Sequence, residues 1–164
     1  PQDELSIAKK NGLLSRNFQG YTVSEGEDLL GLGVSSISQV QGAFSQNHKE
    51  LKDYYRAIET QGHAVCKGVT LSEDDSFRAE IIKSIMCNFT LDFSQLGSKF
   101  GVDYKEYLTQ EITKLQDMEA DGLVRWDQDT LNITDAGKPL VRAVAMCFDR
   151  YRKAVSGNQF SRII

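Results

Sequence analysis

The run Leu29-Leu30-Gly31-Leu32-Gly33-Val34 constrains this chain more than any other feature of its 164 residues. An unbroken apolar stretch of this length reads as a strand buried on both faces. It follows a polar turn at Ser24-Glu25-Gly26-Glu27, and Phe18 to Val23 reads as a strand before that turn. Six of the 13 glycines (Gly12, Gly20, Gly26, Gly31, Gly33 and Gly42) lie within the first 45 residues. Two or three strands this apolar cannot make a stable sheet by themselves. Either part of the sheet is missing or a partner supplies it, and exposed edges across residues 18–38 predict self-association of the chain in isolation.

From Asn47 onward the pattern turns helical. Leu51, Tyr54, Tyr55 and Ile58 share one helix face, with Asn47 as the expected cap and Gly62 as the stop. Ser72-Glu73-Asp74-Asp75 has capping-box spacing and opens a helix carrying Phe77, Ile81, Ile85, Met86 and Phe89. Asp103 caps the next, whose apolar side is Tyr104, Tyr107, Leu108, Ile112 and Leu115; Asp121-Gly122 ends it. A hairpin is expected from Leu123 to Trp126 and Leu131 to Thr134, turning at Asp127-Gln128-Asp129. The last helix starts near Pro139 and carries Leu140, Val141, Val144, Phe148 and Tyr151. The fold class is therefore α+β and mostly helical, with residues 75–153 in the order of a winged helix-turn-helix.

Winged helices commonly bind DNA, but the charges here oppose it. The would-be recognition helix holds Asp103, Glu106, Glu111, Asp117 and Glu119 against only Lys105 and Lys114, and the hairpin tip adds Asp127 and Asp129. With a net charge of −4 as well, such a surface repels phosphate. No nucleic-acid partner is expected. No apolar run approaches the about 18 residues of a membrane span. The acidic start, Pro1-Gln2-Asp3-Glu4, has no apolar stretch behind it and gives no export signal, so a cytoplasmic location is expected.

No catalytic or metal-binding set emerges from spacing. Cys66, Cys87 and Cys147 are dispersed, lack CxxC spacing and read as reduced core thiols; His63 and Cys66 form at most half a site. Gly31-Leu32-Gly33-Val34-Ser35-Ser36 has serine where a dinucleotide loop needs its third glycine. Its glycines suit a close approach of another segment or a ligand to the backbone. Ser35, Ser36 and Ser38 lack a nucleophile elbow and read as solvated or capping serines.

Specific strings say more. Arg16-Asn17-Phe18-Gln19-Gly20-Tyr21-Thr22, the segment Leu29 to Ser38, Gln46-Asn47-His48-Lys49-Glu50-Leu51-Lys52-Asp53-Tyr54-Tyr55, Cys87 to Phe93, Asp121 to Val124 and the terminal Gln159-Phe160-Ser161-Arg162-Ile163-Ile164 occur in order. Together they resemble the oxygen-independent coproporphyrinogen III oxidase family across essentially the whole chain. The resemblance implies a radical S-adenosylmethionine enzyme two to three times as long. Such an enzyme converts two propionates of coproporphyrinogen III to vinyl groups by oxidative decarboxylation, giving protoporphyrinogen IX for haem synthesis. Its 5′-deoxyadenosyl radical arises by reductive cleavage of the cofactor at a [4Fe–4S] cluster held by a CxxxCxxC motif.

That motif is absent from these residues. The resemblance is thus to the C-terminal part of such an enzyme: residues 1–45 as the tail of a (β/α) barrel, with its last strands, and residues 46–164 as a helical C-terminal domain. It implies S-adenosylmethionine and the cluster as cofactors of the parent, none on this chain alone, and no turnover by this chain. Its implied partners are coproporphyrinogen III, the N-terminal barrel and an electron donor. It also implies that Phe18, Gln19 and Ile37 line a cavity for S-adenosylmethionine, at a second cofactor position. Arg16 is a candidate partner for a propionate. The C-terminal domain is expected to cover the barrel mouth. An independent winged-helix interaction module and a haem-binding relative are the alternatives.

Overall fold

The computed structural model describes residues 3–24 and 26–151. The chain divides into two compact units between Phe77 and Arg78. In the first, helix α1 (Glu4–Lys10) is capped by Asp3, whose carboxylate accepts from the Ser6 amide and hydroxyl at 2.9 Å each. A two-stranded hairpin follows, β1 (Ser15–Asn17) with β2 (Gly20–Thr22), turning at Phe18-Gln19. A three-stranded antiparallel sheet of order β3-β4-β5 completes the unit: β3 (Ile37–Val40), β4 (Ala43–Asn47) and β5 (Val65–Thr70). Gln41 and Gly42 join β3 to β4 with φ of 47° and 75°, the left-handed pair of a tight hairpin turn. Helix α2 (Leu51–Gln61) lies between β4 and β5 in sequence and ends on Gly62 in the left-handed region.

Several expectations for this unit are corrected. Leu29 to Val34 is not a doubly buried strand. Leu29 alone bridges Gln39, while Leu30 and Leu32 are 74% and 91% exposed. The glycines explain it: Gly31 lies so close to Ile37 that a Cβ would sit 2.6 Å from its carbonyl oxygen, and Gly33 has φ +96°. Phe18 occupies a turn and is not in a strand. Asn47 belongs to β4; the α2 N-cap is Glu50, with no side-chain cap bond. Strand β5 was not foreseen.

The second unit contains most of helix α3 (Glu73–Asn88), which begins at the expected capping box: the Asp75 amide donates to Ser72 Oγ at 3.1 Å and the Ser72 amide to Asp75 Oδ2 at 2.9 Å. Phe89 follows with φ +61°, ending the helix one residue earlier than its apolar spacing suggests. Next come β6 (Thr90–Asp92), α4 (Phe93–Phe100), α5 (Tyr104–Tyr107) and α6 (Thr109–Ala120). Leu108 interrupts the single helix expected there. The hairpin of β7 (Val124–Asp127) and β8 (Thr130–Ile133) forms as foreseen, and β6 joins it in the order β6-β8-β7. The final helix is fragmented: a 3-10 turn at Lys138–Leu140 containing Pro139, α7 (Val141–Ala145) and a second 3-10 turn at Met146–Phe148. Tyr151 is exposed, not part of an apolar helix face, and the terminal QFSRII string lies outside the described residues.

Core quality differs sharply between the units. Ile81, Ile85, Leu108, Leu115, Leu131 and Val144 are fully buried in the second. Phe93 there packs against Tyr104, Trp126 and Phe148 with centroids 5.2, 5.4 and 6.0 Å away. Among the described residues of the first unit, only Ala8, Leu14, Ala57, Ala64 and Phe77 are buried and apolar. Among the described residues, all exposed large hydrophobics except Tyr107 and Tyr151 also lie in that unit.

Candidate functional site

The three residues singled out from the sequence lie on two neighbouring elements. Phe18 and Gln19 form the tip of the β1–β2 hairpin, where the Gln19 amide donates to Asn17 Oδ1 at 2.8 Å and fixes the turn. Ile37 opens β3 opposite Gln46, and Gln39 lies opposite Phe44. Alternation places Ile37, Gln39, Phe44 and Gln46 on one face. Phe18 packs its edge on Phe44, centroids 5.4 Å apart at 85°, so it reaches the face that carries Ile37. Phe18 is 53% exposed, Gln19 is exposed and Ile37 is half-buried. The three positions offer an accessible aromatic ring, a carboxamide and an aliphatic side chain on neighbouring elements. Arg16 pairs with Tyr21 in the same hairpin, its guanidinium 5.7 Å from the ring.

The serines act on backbone, as capping residues do. Ser36 Oγ donates to the Gly33 carbonyl at 2.8 Å, and Ser38 Oγ accepts from the Gly31 amide at 3.0 Å. Sequence reading missed the residue that completes this arrangement. Asn47 Nδ2 donates to the Gly33 carbonyl at 2.9 Å and to Ser36 Oγ at 3.0 Å. Its available signal was an asparagine in a strand following a serine-rich loop.

A [4Fe–4S] cluster does not fit the thiols of this chain. Cys87 is buried in α3, Cys147 is half-buried near the end of the second unit, and Cys66 is exposed on β5, which corrects its expected place in a core. Among the described residues no three His, Cys, Asp or Glu side chains are grouped to share a metal ion.

A second polar feature lies in the second unit, in a groove between α5–α6 and the β7–β8 hairpin lined by Tyr104, Ile112, Trp126 and Asp129. Asp129 accepts from the Tyr104 hydroxyl and pairs with Lys105 Nζ at 3.1 Å. The Tyr104 hydroxyl, and after it Lys105, hold the Asp129 carboxyl below the usual range. Burial, then the bond to Asp129, pushes the Tyr104 hydroxyl up. These bonds pin the hairpin tip to α5. The acidic surface expected of α6 is also reduced, because Glu111 is paired internally with Arg78 at 2.7 Å.

Residues 71–140 match the family described as the HemN C-terminal domain. Over the whole chain the relatives are oxygen-independent coproporphyrinogen III oxidases. The enzyme of Salmonella typhimurium is 42% identical over 165 residues, and that of Synechocystis 44% over 169; each match covers 100% of this chain and 36% of the relative. The solved structure of coproporphyrinogen III oxidase (HemN) from Escherichia coli, described as a radical SAM enzyme, superposes with a TM-score of 0.90 at 42% identity. That match covers 93% of this chain and 35% of the other. The chain is thus similar to the oxygen-independent coproporphyrinogen III oxidases and spans about a third of their length.

Proposed function

We propose that this chain is the C-terminal part of an oxygen-independent coproporphyrinogen III oxidase and contributes to its active site without being catalytic alone. The whole-length identity of 42% to the Salmonella enzyme carries this reading. In it, residues 1–45 provide the last strands of a catalytic barrel and residues 46–164 a C-terminal domain of winged-helix order that covers the barrel mouth. The poorly buried first unit supports it: Leu30, Leu32, Phe18 and Tyr21 are the kind of surface a barrel would cover.

Phe18, Gln19 and Ile37 line the S-adenosylmethionine cavity in this proposal. Phe18 packs on the adenine, Gln19 satisfies its polar edge and Ile37 excludes water. When bound, S-adenosylmethionine supplies the hydrogen-abstracting chemistry that begins decarboxylation of each propionate. Cysteines outside this chain hold the cluster. Arg16 offers a bidentate match to a propionate carboxylate. The substrate is coproporphyrinogen III, an electron donor serves the cluster, and neither nucleic acid nor membrane is a partner. The last point is supported by the acidic recognition-helix sequence and by the absence, among the described residues, of any helix long and apolar enough to cross a membrane. The proposed setting is the cytoplasm.

The test uses the full-length protein carrying this sequence, reconstituted with iron and sulfide without oxygen. Given S-adenosylmethionine, a one-electron reductant for the cluster and an acceptor for the electron left by each decarboxylation, it should convert coproporphyrinogen III to protoporphyrinogen IX, releasing one carbon dioxide, one methionine and one 5′-deoxyadenosine for each propionate. A cluster-loaded protein that binds S-adenosylmethionine but leaves coproporphyrinogen III unchanged would refute the proposal.

A further inference from the structure

The loop from Gly31 to Ser36 is ordered by polar bonds and not by burial, since its leucine at position 32 points into solvent. Its backbone presses on Ile37 closely enough that only glycine fits at position 31. What keeps it there is a set of bonds from β3 and β4. Asn47 Nδ2 donates to the Gly33 carbonyl and Ser36 Oγ, and lies 3.5 Å from the Gly31 carbonyl. Two carbonyls facing one side-chain terminus require its nitrogen on that side, which fixes the amide orientation. The Asn47 amide donates to the Ser36 carbonyl at 3.0 Å, and the Ser35 amide to the His48 carbonyl at 2.8 Å. Gln46 Nε2 adds a bond to the Ser35 carbonyl at 3.0 Å, and Ser38 holds the Gly31 amide.

We propose that Asn47 is a positioning residue for the cofactor-lining site: its carboxamide holds the Gly31–Ser36 loop against β3 and thereby sets the place of the wall that ends in Ile37. This rests on the functional reading above. Asn47 touches no ligand in this role. It acts through the Gly33 carbonyl and the Ser36 hydroxyl, so its removal loosens the wall without changing the chemistry of any group that lines it. Ser38 is its weaker counterpart at the other end of the loop, with one bond where Asn47 makes two.

The test compares Asn47→Ala and Ser38→Ala with wild type in the cluster-loaded, full-length protein carrying this sequence. Loss of two side-chain bonds should raise KM for S-adenosylmethionine about tenfold, with kcat changed less than about twofold. Ser38→Ala should raise KM about threefold. Hydrogen exchange on the same proteins should quicken at the amides of residues 31–37 while those of Phe44 and Lys67 in the β4–β5 ladder keep wild-type protection. A general loss of folding would not give that pattern. Wild-type KM in Asn47→Ala, or unchanged exchange in the loop, overturns the positioning role while leaving the functional reading intact. A wild-type protein that neither binds nor cleaves S-adenosylmethionine overturns the functional reading and the positioning role with it.

Discussion

Arg78 and Glu111 give the sharpest test of how the second unit is held together. Their side chains approach to 2.7 Å and are each only 14% exposed. Arg78 Nη1 also donates to the Phe148 carbonyl at 3.3 Å, so one guanidinium ties α3 to α6 and to the final 3-10 turn. Removing one partner leaves a mostly buried charge uncompensated. We expect Arg78→Met and Glu111→Leu each to cost about 3 kcal/mol, the lower end of the range for buried pairs because some water reaches both. Replacing both removes the desolvation penalty along with the attraction. The double variant should cost only about 1 kcal/mol, mainly for the Phe148 carbonyl that loses a donor. Additivity would instead give roughly 6 kcal/mol. Trp126 is the single tryptophan and packs on Phe93 in this unit, so its fluorescence during urea unfolding reports the relevant transition. An additive double variant, or single variants costing under about 1 kcal/mol, would refute the reasoning.

Three further outcomes follow from geometry already given. Gly137→Ala should destabilise by more than about 3 kcal/mol, because a Cβ there would lie 1.9 Å from the Leu123 carbonyl oxygen; Gly122→Ala, at φ +72° with open space around it, should cost about 1 kcal/mol, and equal costs in denaturant titrations would contradict this. The hairpin pin has a definite pH sign: a depressed carboxyl at Asp129 contributes stability above about pH 4 and loses it as pH falls through its folded value, whereas a raised phenol at Tyr104 contributes below about pH 10 and loses it as pH rises through its own. Trp126 emission should therefore be flat through the neutral range, with Asp129→Asn abolishing the acid-side change; a transition centred near pH 7 would count against the pin. Finally, the exposed apolar surface of the first unit should make the chain self-associate, with Leu30→Ser plus Leu32→Ser reducing it; light scattering that finds a monomer at high concentration in the unaltered chain would remove that inference.

Sequence pattern revealed those elements whose physics is local. The Ser72–Asp75 box, the Gly62 stop and the β7–β8 hairpin each depend on a few adjacent residues, and each is where spacing placed it. The Leu29–Val34 run misled because an apolar stretch signals burial without saying by what; in this structure its glycines turn the backbone and expose its leucines. Strand β5 gave no alternation to read, since both of its faces are exposed and Gly68 is set by backbone approach to Phe44. The final helix broke into short turns although its apolar spacing was helical, because spacing reports which side faces the core and not how tightly the backbone coils. Phe18, Gln19 and Ile37 came from a resemblance and not from local pattern. Asn47 reads as a helix cap in the sequence because its actual contacts lie 11 to 16 positions away.

The loop that Asn47 holds separates shape from stickiness. Its conformation is written in glycines, serine hydroxyls and two carboxamides, and none of those bonds passes through the side chains of Leu30 or Leu32. Replacing either side chain should therefore change what the surface adheres to while the path of the backbone stays fixed, whereas a change at residue 47 should move the loop and leave its leucines in place.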